Sequence, residues 1–128
     1  MNMFEKVIEV GILFDFYGKL LSEKQYTAIE LYYIHDLSLS EIGEHLNISR
    51  QGVHDTLKRA ENKLYSYEET LGLVKKFNEN RRKIKDILEV VKEIEVESRI
   101  LNSKNIKRNI EKVEEIITDI LEISQEGK

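Results

Sequence analysis

The sequence predicts an all-α protein, and two observations carry that prediction. The chain of 128 residues contains no proline, so it lacks the strongest interrupter of long helices. Apolar residues recur at helical spacing along almost its whole length, and no stretch alternates apolar and polar residues as a half-buried strand would. Cysteine is also absent, which excludes a disulfide scaffold, a thiolate zinc site and a cysteine nucleophile together. The chain is 41% apolar, enough to bury a core, and 34% charged with a net charge of −4.

Local signals place each element in turn. A first helix over about Phe4 to Tyr17 places Val7, Ile8, Leu13, Phe14 and Phe16 on one broad side, with Gly18 as a stop. Ser22-Glu23-Lys24-Gln25 is a capping box, and the helix it opens runs to about His35 with Ile29, Tyr32 and Tyr33 facing inward. Ser38-Leu39-Ser40-Glu41 starts a short third helix carrying Ile42 and Leu46. Asn47-Ile48-Ser49 ends it, because Asn tolerates the left-handed conformation and Ser caps the next helix.

From Ser49 onward, Val53, Leu57, Ala60, Leu64, Tyr67, Leu71 and Val74 are spaced alternately four and three apart. This heptad seam predicts one helix of about 25 residues, near 38 Å long. Three short helices are expected to be too few to cover it. Either the C-terminal helices or a second copy, in a homodimer, would complete it.

Aromatics end at Phe77. Beyond that, Ile84, Ile87 or Leu88, Val91 and Ile94 form one stripe, and Ile106, Ile110, Val113, Ile117 and Ile120 form another. Asn102-Ser103 is the expected turn between two helices of a hairpin or coiled coil. Residues 1–78 are thus read as a helix-turn-helix domain and 79–128 as a C-terminal helical hairpin. Gln125 to Lys128 are expected to fray.

The segment from Ser40 to Val53 carries the functional signal. A small residue, Gly43, stands where the next helix crosses. Ile42, Leu46, Ile48 and Val53 fill the wedge, Asn47 supplies the turn and Ser49 the cap. Such a helix-turn-helix presents the first turns of its second helix outward. With Val53, Leu57 and Ala60 inward, Arg50, Gln51, His54, Asp55 and Lys58 point to solvent. Ser49, Arg50, Gln51, His54, Asp55 and Lys58 are the candidate DNA-binding residues. Arg50 and Gln51 suit guanine and adenine edges, while His54 and Lys58 suit phosphate or base.

Charge sharpens the location. Residues 1–48 carry three basic and eight acidic groups, residues 49–76 six and four, and residues 77–128 eleven and twelve. Only the candidate reading helix is positive. Basic clusters at Arg81, Arg82, Lys83 and Lys85 and at Lys104, Lys107 and Arg108 have acidic neighbours at helical spacing, the pattern of solvated pairs. His35, His45 and His54 lack ligand spacing, no Gly-rich phosphate loop occurs, and neither metal, cofactor nor enzymatic role is expected. No run approaches the ~18 apolar residues of a membrane span, and Met1 to Ile8 does not resemble a secretory signal. A cytoplasmic protein with no membrane insertion is expected.

The run from Leu21 resembles region 4 of bacterial sigma factors. Leu21-Ser22-Glu23-Lys24-Gln25 is similar to its start, Leu39-Ser40-Glu41-Ile42 and Ile48-Ser49 to its scaffold and turn, and Lys58-Arg59-Ala60-Glu61 to its exit. Leu13-Phe14-Asp15-Phe16-Tyr17, Leu31-Tyr32-Tyr33 and Ser49-Arg50-Gln51 with Val53-His54-Asp55 further resemble the small bacterial YlxM family over roughly residues 10 to 78. That resemblance implies a sigma-like helix-turn-helix that binds duplex DNA. It also implies a link to the signal recognition particle, whose protein or RNA is then an alternative partner for a docking role. Relative to that family, Gly43 and Gly52 stand where Ala is more usual. The change at Gly43 is expected to be sterically benign, and that at Gly52 to cost about 1 kcal/mol of helix propensity.

Overall fold

The computed structural model describes residues 1–126, with side chains described through residue 122. Among these residues there are six α-helices and no strand. They are α1 (Met3–Tyr17), α2 (Glu23–Ile29), α3 (Leu39–Leu46), α4 (Arg50–Leu71), α5 (Leu73–Leu101) and α6 (Lys104–Glu126). The chain divides into two compact units, Met1–Val74 and Lys75–Lys128.

In the first unit, polar side chains at the expected places start the helices. The capping boxes at Ser22 and Ser38 form in full, with Gln25 and Glu41 as the reciprocal partners. α1 buries Val10, Leu13, Phe14 and Tyr17, the i, i+3, i+4, i+7 set, and leaves Ile8 exposed. The inward face is therefore rotated away from the expected one. α2 does not run as regular α-helix to His35. It widens at Glu30–Ile34 into a π-helical segment, and the chain turns at Asp36 with φ 57°. Widening lets Leu31, Tyr32 and Tyr33 all pack against the core, which a regular 3.6-residue repeat does not offer to three consecutive residues.

α4 is the axis of this unit. Val53, Leu57, Ala60 and Leu64 are 0–4% exposed and share one core with Val10, Leu13, Tyr17, Ala28, Ile29 and Ile42. From Val53 to Leu64 the seam is thus covered by the unit's own helices, which were expected to be too few for it. The seam is not one helix. Gly72 takes the left-handed conformation (φ 61°, ψ 27°) and its N–H bonds to the Glu68 carbonyl at 2.8 Å, ending α4 after Leu71. Leu71 is exposed, and Val74 lies in the first turn of α5.

A buried polar lock closes the end of the unit. The Tyr17 hydroxyl donates to Glu68 Oε1 at 2.5 Å and accepts from the Leu73 N–H at 3.1 Å, while the Val74 N–H donates to Glu68 Oε1 at 3.1 Å. Two amides that begin a helix are satisfied in this way. Burial, reinforced by the adjacent Glu68 carboxylate, pushes the Tyr17 hydroxyl pKa above its ordinary value.

In the second unit, α5 and α6 form a helical hairpin. Asn102 adopts φ 50° and the Ser103 hydroxyl accepts from the Ile106 N–H at 3.3 Å, so turn and cap fall where expected. Val91, Ile110 and Ile117 are buried, with Ile84, Leu88, Ile106 and Leu121 packed around them. Leu88 rather than Ile87 faces inward, and Val113, Ile94 and Ile120 are exposed. The backbone is helical through Glu126, and the fraying expected beyond it lies outside the described residues.

Candidate nucleic-acid interface

The site is built from the junction of α3 and α4. Ile42 is fully buried beneath it, and Leu46 and Ile48 pack against the same core. Asn47 takes the left-handed conformation (φ 58°, ψ 44°) as the C-cap of α3. The Ile48 N–H then donates to the Gly43 carbonyl at 2.9 Å. The two helices come so close here that a Cβ on Gly43 would lie 2.8 Å from the Ile48 carbonyl oxygen. Gly43 is thus a steric requirement of this turn rather than a benign substitution.

Ser49 starts α4, and its hydroxyl accepts from the Gly52 N–H at 2.9 Å. A Cβ on Gly52 would stand 3.2 Å from that oxygen, so glycine at this position leaves the cap room. The Thr56 hydroxyl donates back to the Gly52 carbonyl at 2.8 Å.

Arg50, Gln51, His54, Asp55 and Lys58 are all exposed on α4, Gln51 and Asp55 on the side opposite Val53 and Leu57, and Arg50 at the amino end of the helix beside α3. They do not act independently. Gln51 Nε2 donates to Asp55 Oδ1 at 3.1 Å, and His54 Nδ1 lies 3.6 Å from the same oxygen. Asp55 thereby braces the amide of Gln51 and lies beside the His54 ring. Arg50 and Lys58 engage no carboxylate among the described residues.

Sequence reasoning missed the contribution of α3. Ser40 and Glu44, one turn apart, line a shallow cleft over the turn together with Asn47, Ser49 and Arg50. Beside it, Leu39 shares a second hollow with Arg50, Gln51 and His54. The signal was present in the i, i+4 spacing of Ser40 and Glu44 on the face opposite Ile42.

Behind the site, Glu61 is buried on α4 and its carboxylate meets Lys6 Nζ at 2.8 Å. The hydrogen bond from Lys6 to Glu61 holds the ammonium above the usual lysine pKa, and burial beside the same carboxylate pushes the Tyr33 hydroxyl up. Tyr32, Tyr33, Tyr65 and Tyr67 all pack against the core. No group of three or more potential metal ligands occurs among the described residues. No described helix is long and apolar enough to cross a membrane.

A short capped helix, a left-handed turn and a long second helix with an exposed polar first face define a helix-turn-helix protein. Comparison with known sequences agrees. The chain belongs to the UPF0122 family, whose model, described as "Putative helix-turn-helix protein, YlxM / p13 like", matches residues 4–123. It is similar to the UPF0122 protein of Acetivibrio thermocellus, with 46% identity over 114 residues that cover 88% of this chain and 97% of that protein. The UPF0122 protein of Desulforamulus reducens is 43% identical over 118 residues, 92% of this chain and 95% of that one. That of Caldanaerobacter subterraneus is 58% identical over 80 residues, 62% and 68% of the two chains.

Proposed function

We propose that the protein is a non-enzymatic DNA-binding regulator that lays the first turns of α4 in the major groove of duplex DNA. One observation carries this reading. The exposed face of α4 presents Arg50 and Lys58 free of carboxylates among the described residues, and it belongs to the only segment with a positive charge balance. Arg50 reads guanine, and Gln51, braced by Asp55, reads adenine. His54 and Lys58 hold phosphate, and the capped amino end of α4 beside Ser49 adds its dipole. The likeness of Leu39–Ile42 and Ile48–Ser49 to sigma factor region 4 supports the same docking. The setting is the cytoplasm, where duplex DNA is met.

The acidic balance of residues 1–48 favours a second reading. The same fold then serves as an accessory docking component of the signal recognition particle machinery, contacting its protein or RNA rather than duplex DNA. A helix-turn-helix alone does not decide between them. Selection from a random duplex pool, followed by anisotropy titration at increasing salt, separates the two. A sequence-selective duplex whose affinity falls steeply with salt supports the regulator. No enrichment, with binding to signal-recognition-particle protein or RNA instead, supports the docking role.

A further inference from the structure

A cavity of about 150 Å³ lies on the flank of α4, between the amino end of α1, the π-helical segment and the start of α3. Leu39 and His54 line both this cavity and the hollow that holds Arg50 and Gln51, so the two adjoin. Its polar walls are Lys6, Tyr32, Tyr33, His54, Lys58 and Glu61. Clefts for drug-sized ligands start at about 300 Å³. This one suits a single small polar group.

The walls select the sign of its charge. Glu61 is buried, and Lys6 Nζ meets its Oε1 at 2.8 Å with the Tyr33 hydroxyl beside it. The attraction within a buried ion pair barely offsets the desolvation of its members, so such a pair adds little to stability. What this pair does is fix a flexible ammonium at the cavity. One of the three Lys6 N–H groups serves Glu61, which leaves two for a ligand. Lys58 brings a second ammonium that engages no carboxylate among the described residues. Two ammonium groups against one carboxylate leave the walls positive even before His54 is counted. A small anion is the occupant they fit.

Resting on the reading of α4 as the DNA-contacting helix, we propose that this cavity seats one phosphate of the duplex backbone. Lys6 of α1 holds it together with His54 and Lys58 of α4, and Glu61 is the residue that positions Lys6. Size, charge and place agree in this. A phosphate group is a small anion, and His54 and Lys58 lie where that reading already sets the backbone. The contact makes α1, which is outside the helix-turn-helix itself, part of the DNA-binding surface. A phosphate gripped from two helices carries no base sequence, but it fixes the register and orientation of α4 on the duplex.

The test scans a selected duplex with single methylphosphonates, each of which removes the charge of one phosphate, and reads affinity by anisotropy. With wild type, one position flanking the bases read by α4 is expected to lose affinity about tenfold. Lys6→Gln with Glu61→Gln removes both charges and leaves two amides that can bond each other, so no buried carboxylate stands unpaired. With its helicity retained by circular dichroism, this variant is expected to bind the unmodified duplex about tenfold more weakly. It is also expected to be indifferent to the methylphosphonate at that one position, which a merely structural loss would not bring about. Should the variant lose helicity, acetylation footprinting of the wild type decides instead. The duplex is expected to shield Lys6 and Lys58 and to leave Lys24 reactive. A wild type that binds no selected duplex defeats the reading of α4 and this proposal with it. A bound duplex defeats the proposal alone if the folded variant keeps wild-type affinity or wild-type sensitivity at every phosphate, or if Lys6 reacts equally with and without DNA.

Discussion

Gly43 sets the closest backbone approach in the helix-turn-helix, and it shows how a single atom governs the site. Gly43→Ala places a methyl 2.8 Å from the Ile48 carbonyl oxygen, an atom that moves only with the turn. The expected cost is about 1–3 kcal/mol in urea unfolding, although alanine is the better helix former. An unchanged midpoint would refute the steric reading. Glu41 makes a second residue-scale prediction. Its carboxylate accepts from the Ser38 N–H at 3.1 Å, which holds its pKa below the usual value. Because the folded pKa is depressed, the contribution is present above the ordinary carboxylate range and lost as pH falls through the lowered value. The stability gap between wild type and Glu41→Gln should therefore narrow from pH 7 to about pH 3. A constant gap would remove the charge from the account.

At the scale of elements, the caps were legible in the sequence while the breaks between helices were less so. Ser22, Ser38, Ser49 and Ser103 all cap where their spacing places them, because a hydroxyl three residues before a free amide is a local signal. Gly72 was not legible as a stop. The heptad spacing runs across it unbroken from Tyr67 to Val74, and periodicity carries no information about one left-handed residue. The π-segment at Glu30–Ile34 was equally silent, since only tertiary packing rewards it. In the hairpin, Ile87 and Leu88 are adjacent and both apolar, so the inward choice rests on the partner helix. The Tyr17 lock lies at this scale too. Tyr17→Phe leaves the Leu73 amide without its partner and removes one of the donors to Glu68 Oε1, and should cost about 1–3 kcal/mol in chemical denaturation. A loss near zero would mean water replaces the hydroxyl freely.

For the whole molecule, the mild net charge of −4 is an average that conceals the functional distribution. The exposure of Gln51, His54, Asp55 and Lys58 was legible, because the inward set fixes the outer face of a helix, whereas Arg50 is exposed because it stands in the first turn. The bond from Gln51 to Asp55 and the share of Ser40 and Glu44 were not, since side-chain partners and neighbouring helices lie outside periodicity. An acidic amino-terminal segment beside one basic face makes non-specific affinity weak, because phosphate neutralisation supplies most of it. The central claim is that the amino end of α4 is the DNA-contacting surface. The most direct measurement is anisotropy of a selected duplex titrated with wild type and with Arg50→Ala plus Lys58→Ala, across a salt series. The account predicts a large loss of affinity in the double variant, with the salt slope reduced by about 1 for the phosphate contact of Lys58. Wild-type binding left unchanged by both substitutions would contradict it.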